Sequence, residues 1–188
     1  PLRGTILLAF NVADTHLSYH PEWPAVLVQQ GIVLIDDSAV SVWADRASLF
    51  ESTVERLSVE TRVNPQDQIT LALAGKVLGP AADGLKVLNE SPLTRIVGPA
   101  FANWTVSGSL EADVALRMNL GDKSDVPQVD VATRWRDVDL LVMPGNLAVQ
   151  AVNGEFAYST SRGFSSTTLT GELWGETVTA SLEQSRRA

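Results

Sequence analysis

His16 and His20 stand four residues apart, the spacing that puts two imidazoles on one helical face and lets them share a metal ion. Their setting argues against that chemistry. Asn11 to Tyr19 reads as strand rather than helix, and no Asp or Glu is placed as a third ligand. Two surface histidines beside a turn are therefore expected, with no metal site. Asp137 and Asp139 have the spacing of one strand face, and paired carboxylates serve hydrolases as acid and base. No nucleophile or further titratable group joins them, so they are expected to keep a sheet edge soluble. Asp36-Asp37 reads as a turn. Gly75-Lys76 has the look of the end of a phosphate loop, but the earlier glycine and the following Ser or Thr are missing. No Gly-x-Ser-x-Gly elbow occurs, and without cysteine there is no thiol nucleophile, disulfide framework or zinc knuckle. Neither catalytic residues nor a cofactor are expected, and the chain is not expected to be an enzyme. Five tryptophans remain, Trp23, Trp43, Trp104, Trp135 and Trp174, which are expected mainly to fill a sheet core.

Charge narrows the partners. The formal net charge is -8, and the only tight basic cluster is Arg186-Arg187. A nucleic-acid binder needs a basic stripe to replace counterions on phosphate, so nucleic acid is excluded. Attraction to anionic headgroups cannot be the main force either. Apolar residues make up 45% of the 188 and charged residues 19%, the balance of a folded chain with a core. Near the start the longest apolar run is Ile6 to Phe10, far short of the about 20 residues of a spanning helix. The chain opens at Pro1 without an initiator Met and without a signal-peptide pattern. It is read as residues 1–188 of a larger protein, forming one β-rich segment.

The elements that would position any site are mostly strands. From Val106 to Leu120 the even positions are Val, Gly, Leu, Ala, Val, Leu, Met and Leu, and the odd positions are mostly polar. Strand side chains alternate between faces, so this run has one apolar row. Fifteen extended residues span roughly 50 Å, too long for a compact sandwich and suited to a broad curved sheet. Leu57, Val59 and Val63 repeat the pattern, as do Ile69, Leu71 and Leu73. Val129, Val131 and Trp135 follow in odd phase, and Val138, Leu140 and Val142 continue in even phase. One extra residue near Arg136-Asp137, a β-bulge, would produce that change. Trp23 to Val28 fits either a helical turn or a strand edge. Pro80 to Val97 alone carries a loose helical face, broken at Ser91-Pro92, and predicts a helix or helical pair. Gly121 to Asp125 is expected to be a flexible tip.

Several short motifs, in order along nearly the whole chain, carry a resemblance. Leu17-Ser18-Tyr19 and Trp23-Pro24 come first, then Leu73-Ala74-Gly75 and Asn89-Glu90-Ser91-Pro92-Leu93. Gly154-Glu155-Phe156-Ala157-Tyr158-Ser159, Gly163-Phe164-Ser165-Ser166 and Gly171-Glu172-Leu173-Trp174-Gly175 complete the series. Together they resemble the YhdP-type AsmA-like proteins of the Gram-negative envelope. The resemblance implies a long periplasmic body whose parent is anchored in the inner membrane by an N-terminal helix. It implies likeness to bridge-like lipid-transfer proteins, in which a rolled sheet encloses an apolar groove. It further implies phospholipid traffic toward the outer membrane and maintenance of its barrier, with no catalytic residues.

The expected fold is thus mainly β, a long twisted antiparallel sheet curved into an open, taco-like groove with a short helical insertion around 80–97. The expected partners are phospholipid acyl chains, held without fixed polar contacts. Leu110, Val114, Leu116, Met118, Leu120, Val129 and Val131 are the candidate groove-lining residues. The same row would equally serve as a closed core, in which case the segment is a structural or protein-binding β-module.

Overall fold

The computed structural model describes residues 7–37, 39–63, 67–97, 101–121, 126–143 and 145–182. Among these, eleven strands form one antiparallel sheet: β1 (Leu8–Leu17), β2 (Val26–Asp36), β3 (Ala39–Leu49), β4 (Ser52–Val63), β5 (Ile69–Pro80), β6 (Thr105–Asn119), β7 (Gln128–Val142), β8 (Leu147–Ser159), β9 (Gly163–Ser166), β10 (Leu169–Leu173) and β11 (Glu176–Ala180). Neighbours in sequence are neighbours in space from β1 to β8, after which β10 pairs with β8 and β11 closes the path; β9 also pairs with β8. The path does not return to β1, so the sheet is open. The anticipated mainly β, open antiparallel sheet with one helical insertion is what forms.

That insertion is α1 (Ala81–Glu90) and the single turn α2 (Thr94–Val97), both between β5 and β6. Pro80 caps α1 in an extended conformation, because its fixed φ suits a helix start and its missing N–H leaves no orphan donor. Ser91-Pro92 ends it. The Ser91 hydroxyl accepts the Leu93 N–H, and the Thr94 hydroxyl donates to Leu88 O and Ser91 O, so the break between the helices is itself hydrogen-bonded.

The sheet turns one face inward throughout, but not by simple alternation. In β1, Phe10 and Val12 share the inner face, whereas beyond Asp14 the inward residue is Leu17. The same change of phase occurs between Val33 and Val28 in β2, between Ala44 and Ala47 in β3, and between Leu57 and Val54 in β4. The extra residues lie side by side across four strands, and the offset is absorbed by one register shift between β4 and β5. Asp14 and Arg56 take positive φ there, 45° and 52°. A second crease runs through β7 and β8 at Asp137 and Ala151, with φ of 48° and 49°. The bulge anticipated near Arg136-Asp137 is this crease. Bulges bend and twist a strand while leaving the same face inward on both sides, which is how strands this long curve.

Candidate functional site on the apolar sheet face

Directly paired residues of antiparallel strands share a face. Following the register therefore traces apolar rows perpendicular to the strands. One runs Phe10, Val33, Val42, Val59, Leu73, Leu116, Val129 through β1 to β7. With strands about 4.8 Å apart it is about 29 Å long. A parallel row runs Gly75, Val114, Val131, Tyr158, Phe164 through β5 to β9. Along it the chain turns aromatic: Phe164 packs between Tyr158, Phe156 and Phe101, and Phe156 reaches Trp135. A Cβ at Gly75 would lie 3.2 Å from the Val54 side chain, so a larger residue in this row would press on β4.

Of the seven candidate residues, Leu116 and Val129 lie on the first row and Val114 and Val131 on the second, while Leu110, Met118 and Leu120 continue the even positions along and just beyond β6. Leu116 and Val129 are only 3% exposed and pack under Leu93, from the break between α1 and α2, with Trp23, Met118 and Val131 around them. Val114 and Val131 are half-buried neighbours across β6 and β7. Leu110 is half-buried on the far side, against Ala81, Trp135 and Val138. Met118 and Leu120 border the larger cluster of β2 to β5, whose centre is Leu71, Val28 and Ala47. The α1–α2 unit and the 18–25 connection between β1 and β2 thus lie over the middle of the face. They meet at a Glu22–Arg95 ion pair. Asp83, buried in the first turn of α1, accepts the Ser52 hydroxyl at 2.7 Å and the Glu51 N–H at 2.9 Å, fixing the helix to the β3–β4 turn.

The strand ends of the same face are different. Phe10 and Val40 are exposed, and Val63 and Ile69, paired across β4 and β5, are each 46% exposed. The inner face is therefore covered in the middle and open at the end where β1 begins.

On the opposite face charge gathers on β5 to β8, while Ile32 and Trp43, partners across β2 and β3, are exposed. Lys76 pairs with Glu111 at 2.6 Å and Arg134 with Glu155 at 2.8 Å, a ladder across β5 to β8. The Lys76 hydrogen bond holds the Glu111 carboxyl below its usual range, with Arg134 and Arg136 adding to the effect. Beside the ladder lies a shallow cavity of about 760 Å³, floored by Ala74, Ala115, Ala132 and Ala157.

A protein-family model described as YhdP protein matches residues 3–188. The chain belongs to the YhdP family. No curated protein and no solved structure matches it. Membership suggests a cell-envelope protein connected with lipid transport. Among the described residues no helix is long and apolar enough to cross a membrane. Most of the YhdP-like motifs of the sequence fall on the apolar face. Tyr19 and Trp23 of the Leu-x-Tyr and Trp-Pro elements pack against each other and into the apolar clusters. Leu93 of the Ser-Pro-Leu element meets them from the helical side. The Gly-x-Phe-x-Tyr and Gly-Phe elements supply the aromatic wall.

The remaining sequence candidates disperse. His16 is exposed on β1, while His20 Nδ1 accepts the Glu22 N–H at 3.1 Å and shapes the turn. Asp36 Oδ1 accepts the Ala39 N–H, as a turn residue does. Asp137 and Asp139 do not protect a sheet edge, since β7 is paired on both sides. Asp139 accepts the Ala151 N–H and Asp137 pairs with the Asn153 amide, so both brace the second crease. Gly75-Lys76 lies inside β5. The tryptophans divide: Trp23 and Trp135 join the clusters and bury indole N–H groups without an acceptor among the described residues. Trp43 and Trp174 are exposed, the latter 87% at the β10–β11 turn, where Gly175 takes a φ of 82°. Of the expected flexible tip, Asp122 to Asp125 lie outside the described residues. The aromatic wall was missed by strand periodicity, although Phe156, Tyr158 and Phe164 stood in the family-like motifs.

Proposed function

We propose that this chain is a non-enzymatic, lipid-handling segment of a periplasmic protein whose parent is anchored in the inner membrane. Its apolar sheet face receives phospholipid acyl chains in transit between the inner and outer membranes, and so maintains the outer-membrane barrier. The observation that carries this reading is the uninterrupted row from Phe10 to Val129 across seven strands. The hydrocarbon core of a bilayer, two acyl chains deep, is about 30 Å thick. A row of about 29 Å therefore offers one chain its full length. Transfer of each CH2 from water to such a face gains about 0.8 kcal/mol, and that gain needs no polar recognition group. YhdP membership supports the same reading.

One observation favours a second reading. Val42, Val59, Leu116 and Val129, four of the seven residues of the row, are at most 5% exposed, the last two packed under Leu93, as in a structural β-module whose apolar face is closed. Native mass spectrometry of the chain purified from bacterial cells separates the two. The lipid reading expects co-purified phospholipid, lost when Phe10 and Val63 at the open end are both changed to Asp. A chain that carries no lipid, from cells or after incubation with phospholipid vesicles, would favour the structural module.

A further inference from the structure

We propose that Leu93 occupies an acyl-chain subsite of this sheet, and that the α1–α2 unit is a displaceable cover competing with lipid for it. This rests on the lipid-handling reading above. The subsite is the hollow lined by Leu73, Leu116, Met118, Val129 and Val131, on the row that an acyl chain would follow from the open end. Leu93 fills it with a branched aliphatic side chain, the same chemistry as a short length of acyl chain. The exchange is therefore nearly even in apolar contact: what the hollow loses in Leu93 it regains in CH2 groups.

The cover has the anatomy of a movable part. It is continuous with the sheet only through β5 and β6, which border the insertion. Along α1 only Ala81 and Asp83 are buried, both in its first turn, while Leu85, Val87 and Leu88 are half-buried. Its firm attachment is therefore at the β5 end, where Asp83 binds Ser52 and Glu51. At the Leu93 end the polar tie to the 18–25 connection is the Glu22–Arg95 pair, whose side chains are largely exposed and whose strength is correspondingly small. A unit pinned at one end and weakly held at the other pivots about the pinned end. Trp23 adds a polar element. Its indole N–H is buried beside Leu93 without an acceptor among the described residues, and an ester carbonyl entering with an acyl chain would supply one.

The chain contains no cysteine, so two introduced thiols can be joined selectively by a bifunctional thiol reagent. Glu22 and Arg95 already meet at the Leu93 end, which makes Glu22→Cys with Arg95→Cys the pair to bridge there. Binding of a fluorescent fatty acid is measured on this variant before and after bridging, with closure verified by mass spectrometry, and on the single variant Leu93→Ala. The expected result is binding to the unbridged form at or above parental affinity, at least tenfold weaker binding to the bridged form, and several-fold tighter binding to Leu93→Ala. Equal binding to the bridged and unbridged forms would overturn the cover while leaving the lipid-handling reading intact. Absence of binding to every form, Leu93→Ala included, would overturn the lipid-handling reading itself and the cover with it.

Discussion

Leu116 and Val63 belong to the same apolar face, two strands apart in one sheet, yet the first is 3% exposed and the second 46%. Both are aliphatic and both point inward, so residue type does not separate them. What separates them is a second layer. Leu93, Trp23 and Tyr19 lie over the middle of the face, and the β4–β5 pair Val63–Ile69 extends past them. Burial on a sheet this broad is thus set by what crosses it and not by the alternation of its strands. The middle of the face behaves as a core and its end as an apolar surface in contact with water.

Charge gives the sharpest contrast between these regions. Leu116→Asp places an unpaired carboxylate under Leu93, where it is hydrated only when the cover opens, and should cost about 3 kcal/mol, a large share of a marginal domain's stability. Val63→Asp leaves its carboxylate hydrated and should cost under about 1 kcal/mol. Urea unfolding followed by circular dichroism compares the two, and similar losses would erase the distinction. Removing the attachment of the cover should have an intermediate effect. Asp83→Ala strands the Ser52 hydroxyl and the Glu51 N–H, for a loss of about 2 kcal/mol, while hydrogen exchange should rise in 81–97 and stay unchanged in β2 and β3.

Alkaline pH probes the other half of the cover. Burial pushes the Tyr19 phenol up from 10.0 to about 12. The unfolded chain then ionises first, so the contribution of Tyr19 is complete below pH 10 and is lost as pH rises from 10 to about 12. Tyr19→Phe should flatten the fall in stability over that interval, and an unchanged pH profile would place Tyr19 outside the core. The smallest effect belongs to Glu22→Gln. Its pair with Arg95 is exposed on both sides, so stability should move by less than about 1 kcal/mol. A larger loss would mean that the cover is held chiefly at its Leu93 end.

Much of this was legible where strands lack extra residues. β5 and β6 keep one phase from end to end, and β6 runs within one residue of the span its alternation indicates. The change of phase at Asp137 was legible too, because each side of it has enough residues to show its own alternation. β2, β3 and β8 were not singled out. Each flips phase near its middle, at Gln29–Gln30, at Asp45–Arg46 and at Ala151, and each carries apolar residues on both faces, such as Ile32 beside Val33, Trp43 beside Val42 and Ala148 beside Val149, so no clean alternation is left to read. The seven candidate residues do share one face, as their spacing requires. Which of them would be covered was not legible, because cover comes from Trp23 and Leu93, at long sequence separation from β6 and β7. No local pattern encodes that meeting, although both residues lie in the family-like motifs.

The central claim is that the inner face, and not the charged one, meets lipid. Site-specific photocrosslinking in living cells tests it most directly, with a benzophenone amino acid at Phe10 or Val63 on the inner face and at Trp43 on the outer one. Trp43 is as exposed as Phe10 and lies opposite Ser58 on the polar side of β3 and β4. The expected result is phospholipid adducts, identified by mass spectrometry, at Phe10 and Val63 and none above background at Trp43. Adducts at Trp43 equal to those at Phe10 and Val63, or none at either inner position, would contradict the assignment of the apolar face to lipid.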